Sequence, residues 1–326
     1  MNLFTFSRAA SVADALRDAG AGAAFVAGGT TLIDLMKLDV ETPDAVIDIN
    51  RLPLAEVGAV PGGGLRIGAL ARNSDVAHHA AVVRDYPVLA EALLSGASPQ
   101  LRNMATTAGN LLQRTRCVYF RDTASACNKR APGSGCAAIG GFNRNLAILG
   151  TSEHCIASNP SDQNVALTAL EATVQITGAR GERSVPIGEF YLLPGDTPDC
   201  ETVLEPGELI TSVTLPPAAP GARSTYLKLR DRASYEFALA SAAVIATVTG
   251  GTLERVRIAM GGIGAKPWRI RDAELALEGK AVTPDRLAEA ARIILADAKP
   301  QPGNAFKVEL AKRCLVHALT LVTAEA

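Results

Sequence analysis

Val26-Ala27-Gly28-Gly29-Thr30-Thr31-Leu32 is the stretch on which the reading of this chain turns. It follows a short apolar run, Ala24 to Ala27, and opens a pattern that predicts a helix from Leu32 to Leu38. Glycine has no Cβ, so such a turn lets backbone amides and a helix dipole converge on an anion such as pyrophosphate. It is neither the G-x-G-x-x-G of a dinucleotide unit nor a Walker loop, and a Gly-Gly turn also serves backbone geometry alone. Some eighty residues on, Ala105-Thr106-Thr107-Ala108-Gly109-Asn110-Leu111 brings hydroxyls, a glycine and an amide together in one short turn. In isolation Thr106 or Thr107 reads as a helix cap and Gly109 as a tight turn.

Around the first loop, a helix from about Ser11 to Asp18 and a strand from Ala45 to Ile49 complete a small α/β unit, with Pro43 as the break. A second unit starts at Gly62-Gly63-Gly64, continues into a strand at Leu65 to Ile67, and carries helices near Asp75 to Val83 and Val88 to Leu94. Periodicity then fails from about Gln113 to Pro160, which reads as an inserted, ligand-organised loop; loops this long are uncommon unless functional or disordered. A helix at Ser161 to Leu170 and β-like runs at Thr173 to Thr177 and Glu208 to Leu215 follow, then a Pro-rich linker, Pro216 to Gly221. Strands at Ser224 to Leu229, Val244 to Thr249 and Arg255 to Gly261, with helices at Arg269 to Leu277, Pro284 to Ala296 and Asn304 to Ala318, make a separate α+β domain.

The 32 Lys and Arg nearly balance the 33 Asp and Glu, so there is no broad footprint for nucleic acid or anionic lipid. No apolar stretch approaches the 18 or so residues of a membrane span; even the Ala-rich run Phe237 to Thr247 is short. Arg8, Asp14 and Asp18 interrupt what would be the apolar core of a signal peptide, so no export signal is expected at Met1 to Gly20. His78, His79, His154 and His317 fit no recognisable catalytic motif, and no substrate-transforming constellation accompanies the glycine loops.

Four of the six cysteines, Cys117, Cys127, Cys136 and Cys155, fall inside the aperiodic segment, separated by nine, eight and eighteen residues. These are not the compact spacings of zinc ribbons or bacterial ferredoxins, yet four thiolates are the ligand count of a [4Fe-4S] cube. Pro132-Gly133-Ser134-Gly135 would let the chain wrap one, and Arg114, Arg116, Arg121, Lys129 and Arg130 crowd the segment where they can offset its charge. On the residues alone, iron–sulfur, zinc, and disulfides or unconnected thiols all stay open. His154 adjoins Cys155 and reads as an outer-shell or surface side chain.

Taken together the two glycine loops resemble the FAD-binding segments of the molybdenum hydroxylase flavoproteins, the xanthine dehydrogenase family. The likeness runs the whole chain, through Asn159-Pro160-Ser161-Asp162, Pro206-Gly207-Glu208-Leu209-Ile210, Tyr226-Leu227-Lys228-Leu229-Arg230-Asp231-Arg232-Ala233-Ser234-Tyr235, Met260-Gly261-Gly262-Ile263-Gly264 and Lys266-Pro267-Trp268-Arg269. It implies an α+β protein: a two-subdomain FAD fold of the vanillyl-alcohol-oxidase (PCMH-like) type at residues 1–56 and 57–218, then a CO dehydrogenase flavoprotein-like domain at 222–326. Within the family the cysteine insert, at about 113–158, is similar to that of the medium subunit of bacterial periplasmic aldehyde oxidoreductases, and implies a [4Fe-4S] cluster on Cys117, Cys127, Cys136 and Cys155.

The same resemblance assigns Val26, Ala27, Gly28, Gly29, Thr30, Thr31, Leu32, Ile33 and Asp34, with Thr106, Gly109 and Asn110, to the FAD diphosphate. It puts Asp162 on the adenosine side, Ile210 along the cofactor and Lys228 near the isoalloxazine, where a cation would stabilise the reduced ring. Read without the family, Asp162 starts a helix and Lys228 is a solvated cation.

The implied role is electron transfer in a heterotrimer. A large molybdenum-cofactor subunit would hydroxylate an aldehyde to a carboxylic acid, a small [2Fe-2S] subunit would relay electrons, and FAD here would deliver them to an external acceptor. Other readings are a hydroxybenzoyl-CoA reductase-like subunit, a stand-alone flavin oxidase, and a zinc-stabilised interaction module without flavin. The compartment follows the partners: periplasmic by co-export with a signal-bearing subunit, or cytoplasmic.

Overall fold

The first glycine loop sits at the end of a three-stranded parallel sheet, β1 (Thr5–Arg8), β2 (Ala23–Val26) and β3 (Ala45–Asp48), ordered β1-β3-β2. Ser11 caps the helix Val12–Asp18 by accepting from the Asp14 N–H, as a serine before an apolar period should. The computed structural model describes residues 1–324.

A five-stranded antiparallel sheet follows, formed by β4 (Val57–Val60), β5 (Gly64–Gly68), β6 (Thr173–Gly178), β7 (Gly181–Pro186) and β8 (Leu209–Leu215) in the order β4-β5-β8-β6-β7. β5 and β6 both pair with β8, so the chain between residues 68 and 173 leaves the sheet and returns two strands away. The expected helix at Asp75 to Val83 is two helices, Asn73–His78 and Ala80–Asp85, because His79 is extended (φ −66°, ψ 129°).

The third sheet is β9 (Arg223–Leu229), β10 (Ala240–Thr249), β11 (Thr252–Gly261) and β12 (Lys280–Ala281), antiparallel in the order β12-β11-β10-β9. Along β10, Ala243 and Ile245 enter the core shared with the first two sheets, while Ala242, Val244 and Ala246 enter a second core under the helices Pro284–Ile294 and Phe306–Thr323. Burial on both faces explains an almost uninterrupted apolar strand. The wholly buried helix Asp162–Ala169 lies on the near face, and Gly261 lets it approach: a Cβ there would overlap the Val165 side chain.

The segment from Gln113 to Pro160 is irregular apart from the single turn Val118–Arg121 and two isolated bridges, antiparallel between Cys127 and Cys136 and parallel between Leu149 and Gly264. Its last part is docked on the third sheet, where Ile148 and Leu149 N–H groups donate to Ile263 O at 2.8 and 3.0 Å. Buried Lys307 reinforces this dock, donating to Leu146 O at 2.8 Å and Gly262 O at 2.5 Å.

Candidate functional site

The two glycine segments are in backbone contact. A Cβ on Gly28 would overlap the Met104 carbonyl, so only glycine fits where the first loop crosses the second. Gly29 is left-handed (φ 72°), which turns Thr30 and Thr31 outward. A chain of polar groups holds the crossing: Asn50 donates to Ala27 O at 2.9 Å and to Asp48 Oδ1 at 2.7 Å, and Arg72 donates to Asn50 Oδ1 at 3.1 Å and to Met104 O. Neither Asn50 nor Arg72 stands out in the sequence; the nearest signal is the spacing Asp48-x-Asn50, which makes a local side-chain turn.

A cleft runs over this crossing. One half is lined by Ala27 to Leu32, Phe25, Leu70, Gly109 and Ile210 and is largely apolar. The other half is lined by Gly109, Asn110, Asp162, Lys228 and Phe237 among others. Thr30, Thr31 and Gly109 border both halves, so the two segments form the saddle between them.

The run Val26 to Asp34 divides. Ala27 to Leu32 line the cleft, but Val26 ends β2 with its side chain in a small core with Met36 and Val46. The helical turn carries Ile33 to the surface and Asp34 away toward the inserted segment, where Arg116 and Arg121 hold it at 3.3 and 2.8 Å. None of these three is among the residues that line the two halves of the cleft. Thr106 is a helix cap, accepting from Gly109 N–H at 3.2 Å, and Asn110 is committed to Ser161, Gln163 and Gln113, so both build the floor.

Asp162 and Lys228 were expected at opposite ends of an extended dinucleotide. The structure puts Lys228 Nζ 2.8 Å from Asp162 Oδ2 in the same half of the cleft. The reason is strand geometry: Tyr226 and Lys228, two apart on β9, face the start of the helix Asp162–Ala169. Tyr226 Oη donates to Asp162 Oδ1 at 2.5 Å and lies 2.9 Å from Ser241 Oγ, while Lys228 also donates to Ser95 O at 3.0 Å. Burial and the neighbouring Asp162 carboxylate raise the Tyr226 phenol well above its usual range, so it stays a donor.

Cys117, Cys127 and Cys155 are buried in one cluster with Leu35, Phe120 and Ile156, and Cys136 packs against it. All six cysteines are free thiols. Burial raises Cys117, and raises Cys155 to about 11, with Lys129 pulling the latter back. Among the described residues, no three His, Cys, Asp or Glu side chains adopt a metal-holding arrangement. The basic residues that crowd the segment are engaged with protein groups. Arg114 is bound to Glu41 and Glu201, Lys129 to Glu201 at 3.0 Å, Arg116 and Arg121 to Asp34, and Arg130 donates to the Tyr119 and Phe120 carbonyls. His154 is half exposed and faces Asp196 at the surface. Leu35 borders both the cysteine cluster and the apolar half of the cleft.

The model of the FAD-binding domain of molybdopterin dehydrogenases matches residues 2–218, and that of the CO dehydrogenase flavoprotein C-terminal domain matches 193–322. The chain belongs to the FAD-binding subunits of the molybdenum hydroxylases. This flavoprotein subunit is 51% identical, over all of both chains, to the aldehyde oxidoreductase FAD-binding subunit PaoB of Escherichia coli. It is 29% identical to the glyceraldehyde dehydrogenase medium chain of Sulfolobus acidocaldarius, over 91% of this chain and 89% of that one. A solved structure of carbon monoxide dehydrogenase from Hydrogenophaga pseudoflava superposes with TM-score 0.78 at 27% identity, covering 98% of this chain and 97% of that chain.

The cleft fits a dinucleotide. Its saddle is a cradle without side chains at Gly28, Gly29 and Gly109, flanked by the hydroxyl-bearing Thr30 and Thr31. No helix among the described residues is long and apolar enough to cross a membrane.

Proposed function

We propose that this subunit carries FAD in the cleft and serves electron transfer in a molybdenum-dependent aldehyde oxidoreductase, with a large molybdenum-cofactor subunit and a small [2Fe-2S] subunit. The carrying observation is the backbone crossing of Gly28 on Met104 beneath a cleft that reaches from Ile210 to Lys228. When bound, FAD supplies the one- and two-electron chemistry that links those partners to an external acceptor. Gly28 to Thr31 and Gly109 hold the diphosphate, supported by Thr106 and Asn110. Ile210 and its apolar neighbours take the adenine half, and Asp162 with Lys228 face the isoalloxazine.

Paired to a carboxylate, Lys228 gives the ring a dipole rather than a free cation. Tyr226 and Ser95 fix its direction, and Phe237 at the rim limits water. The proposed division is 1–56 and 57–218 for the FAD subdomains and 222–326 for the C-terminal domain.

Cys117, Cys127, Cys136 and Cys155 are proposed to hold a [4Fe-4S] cluster. Support comes from four free thiols gathered in one cluster of an aperiodic, glycine-containing segment. Because that cluster meets the cleft at Leu35, in the apolar half, its proposed role is to brace the glycine-loop helix rather than to feed the ring end. The proposed compartment is the one its partners reach, the periplasm by co-export or the cytoplasm.

Co-purification of the complex, with flavin, iron, sulfide and molybdenum counted per trimer, tests this reading. Turnover of aromatic aldehydes by the complex supports it. Turnover of acyl-CoA esters instead would move it to a reductase of that class, and substrate turnover by the isolated chain would make it a stand-alone oxidase.

A further inference from the structure

A second recess, which shares no lining residue with the cleft, opens where the end of β7 meets the segment that follows β11. Ala172, Ile187, Leu193, Pro267 and Trp268 make its walls mostly apolar. Trp268 is held there by a reciprocal pair of backbone bonds with Met260, both 2.8 Å, and its indole N–H donates to Ile294 O at 3.2 Å. Lys266 lines the same recess, half-buried, and its ammonium reaches across to Gly188 O and Tyr191 O at a long 3.4 Å each. Among the described residues no carboxylate pairs with it, and burial alone pushes its ammonium below the ordinary 10.5. The acids nearby are already taken. Glu171, left-handed at φ 56°, faces Arg255, Arg257 and Arg269, while Glu274 is held by Arg269 and Arg271, and Glu278 by Arg271. Five cations thus meet three carboxylates, and Lys266 is the cation left without one.

We propose that this recess binds a small aromatic carboxylate, its charged end on Lys266 and its ring against Trp268, whatever the cleft itself holds. A carboxylate on the ammonium makes a charge-assisted bond, stronger than the two long carbonyl contacts it replaces. Both halves of the ligand are needed. An anion without an apolar body leaves Trp268, Leu193 and Ile187 wet, and a neutral aromatic leaves the half-buried ammonium without a counter-charge. The position suits a ligand, because the recess lies between the second sheet and the third, and pockets form preferentially where structural units meet. The walls are preformed: Arg269 ties Glu171 to Glu274 across the same junction, so little ordering remains for binding to impose.

Trp268 is the chain's single tryptophan, so its emission reports on the recess in the full chain. The probes are benzoate, benzamide as its neutral counterpart, and acetate as the same charge without the ring. Benzoate is expected to change the emission saturably, with the other two binding at least roughly 10-fold more weakly, the difference made by one charge-assisted contact or by one buried ring. Saturation transfer from the protein to the benzoate ring protons gives the affinity without relying on tryptophan. Lys266→Met should weaken benzoate roughly 10-fold, leave benzamide unchanged, and melt no lower than wild type, since an unpaired ammonium has been replaced by an apolar chain of similar length. Benzamide or acetate binding as tightly as benzoate, equal benzoate affinity in Lys266→Met, or no saturable binding overturns the proposal. Benzoate that binds the chain alone but not the assembled complex also overturns it, and gives the recess to an acidic side chain of a partner subunit.

Discussion

Lys228 Nζ and Asp162 Oδ2 are 2.8 Å apart, with side-chain exposures of 3% and 9%, at the end of the cleft. Breaking a buried pair by removing one partner strands the other charge and typically costs about 3–5 kcal/mol, whereas replacing both with apolar groups is often near neutral. Lys228→Met and Asp162→Leu are each expected to lower stability more than the double variant does. Urea unfolding of the three variants checks this, and a double variant less stable than either single would refute it.

The glycines of the saddle should separate by role. Gly28→Ala drives a methyl into the Met104 carbonyl and parts the two loops, so both stability and flavin affinity should fall, the former by at least about 2 kcal/mol. At Gly109 the only atom a Cβ crowds is the Thr106 hydroxyl, and the residue lies within the helix Thr107–Leu111. Gly109→Ala should therefore change stability by no more than about 1 kcal/mol. Flavin affinity should still drop, since the methyl rises from the cleft floor. Thermal melts and FAD titrations on both variants decide it.

Lys307 makes stability depend on pH. Burial, with Arg144 nearby, pushes its ammonium down to about 7 from an ordinary 10.5. Between those values the unfolded chain binds the extra proton, so stability should rise as pH goes from about 7 toward 8.5, and the cost is fully present below 7. From near pH 9 the trend reverses, because buried thiols such as Cys314, pushed up to about 12 from an ordinary 9.0, ionise only in the unfolded chain, and Tyr191 and Tyr226, raised well above the usual range by burial, add to this near pH 10. Lys307→Met should flatten the rise between pH 7 and 8.5, read from denaturation midpoints across that range. A wild-type profile equal to that of the variant would remove Lys307 as the cause.

Cysteine substitutions should distinguish ligands from bystanders. Cys127→Ser is expected to cut iron and sulfide content and destabilise the insert, while Cys200→Ser, at an exposed position, leaves both unchanged. Zinc in place of iron in the wild-type protein, or full iron in Cys127→Ser, would count against the assignment.

Several elements were legible because their signals are local. Ser11 capped its helix and Gly62 to Gly64 turned a hairpin, each decided by atoms within a few residues. Others were hidden. β1 is exposed along its length, and β7, Gly-Glu-Arg-Ser-Val-Pro, is polar, so neither shows the alternation of a half-buried strand. Ala240 to Ala243 read as a short apolar run and formed strand because packing on both faces outweighs the weak β preference of alanine.

The same division holds at the site. The sequence by itself determined that two glycine segments and four cysteines exist, since those depend on residue type and spacing along the chain. Only the tertiary structure decided that Gly28 crosses Met104 and that Asp162 meets Lys228 rather than lying a cofactor's length away. Such pairings join residues tens of positions apart, and they are selected by how whole sheets and helices pack, which no local propensity records.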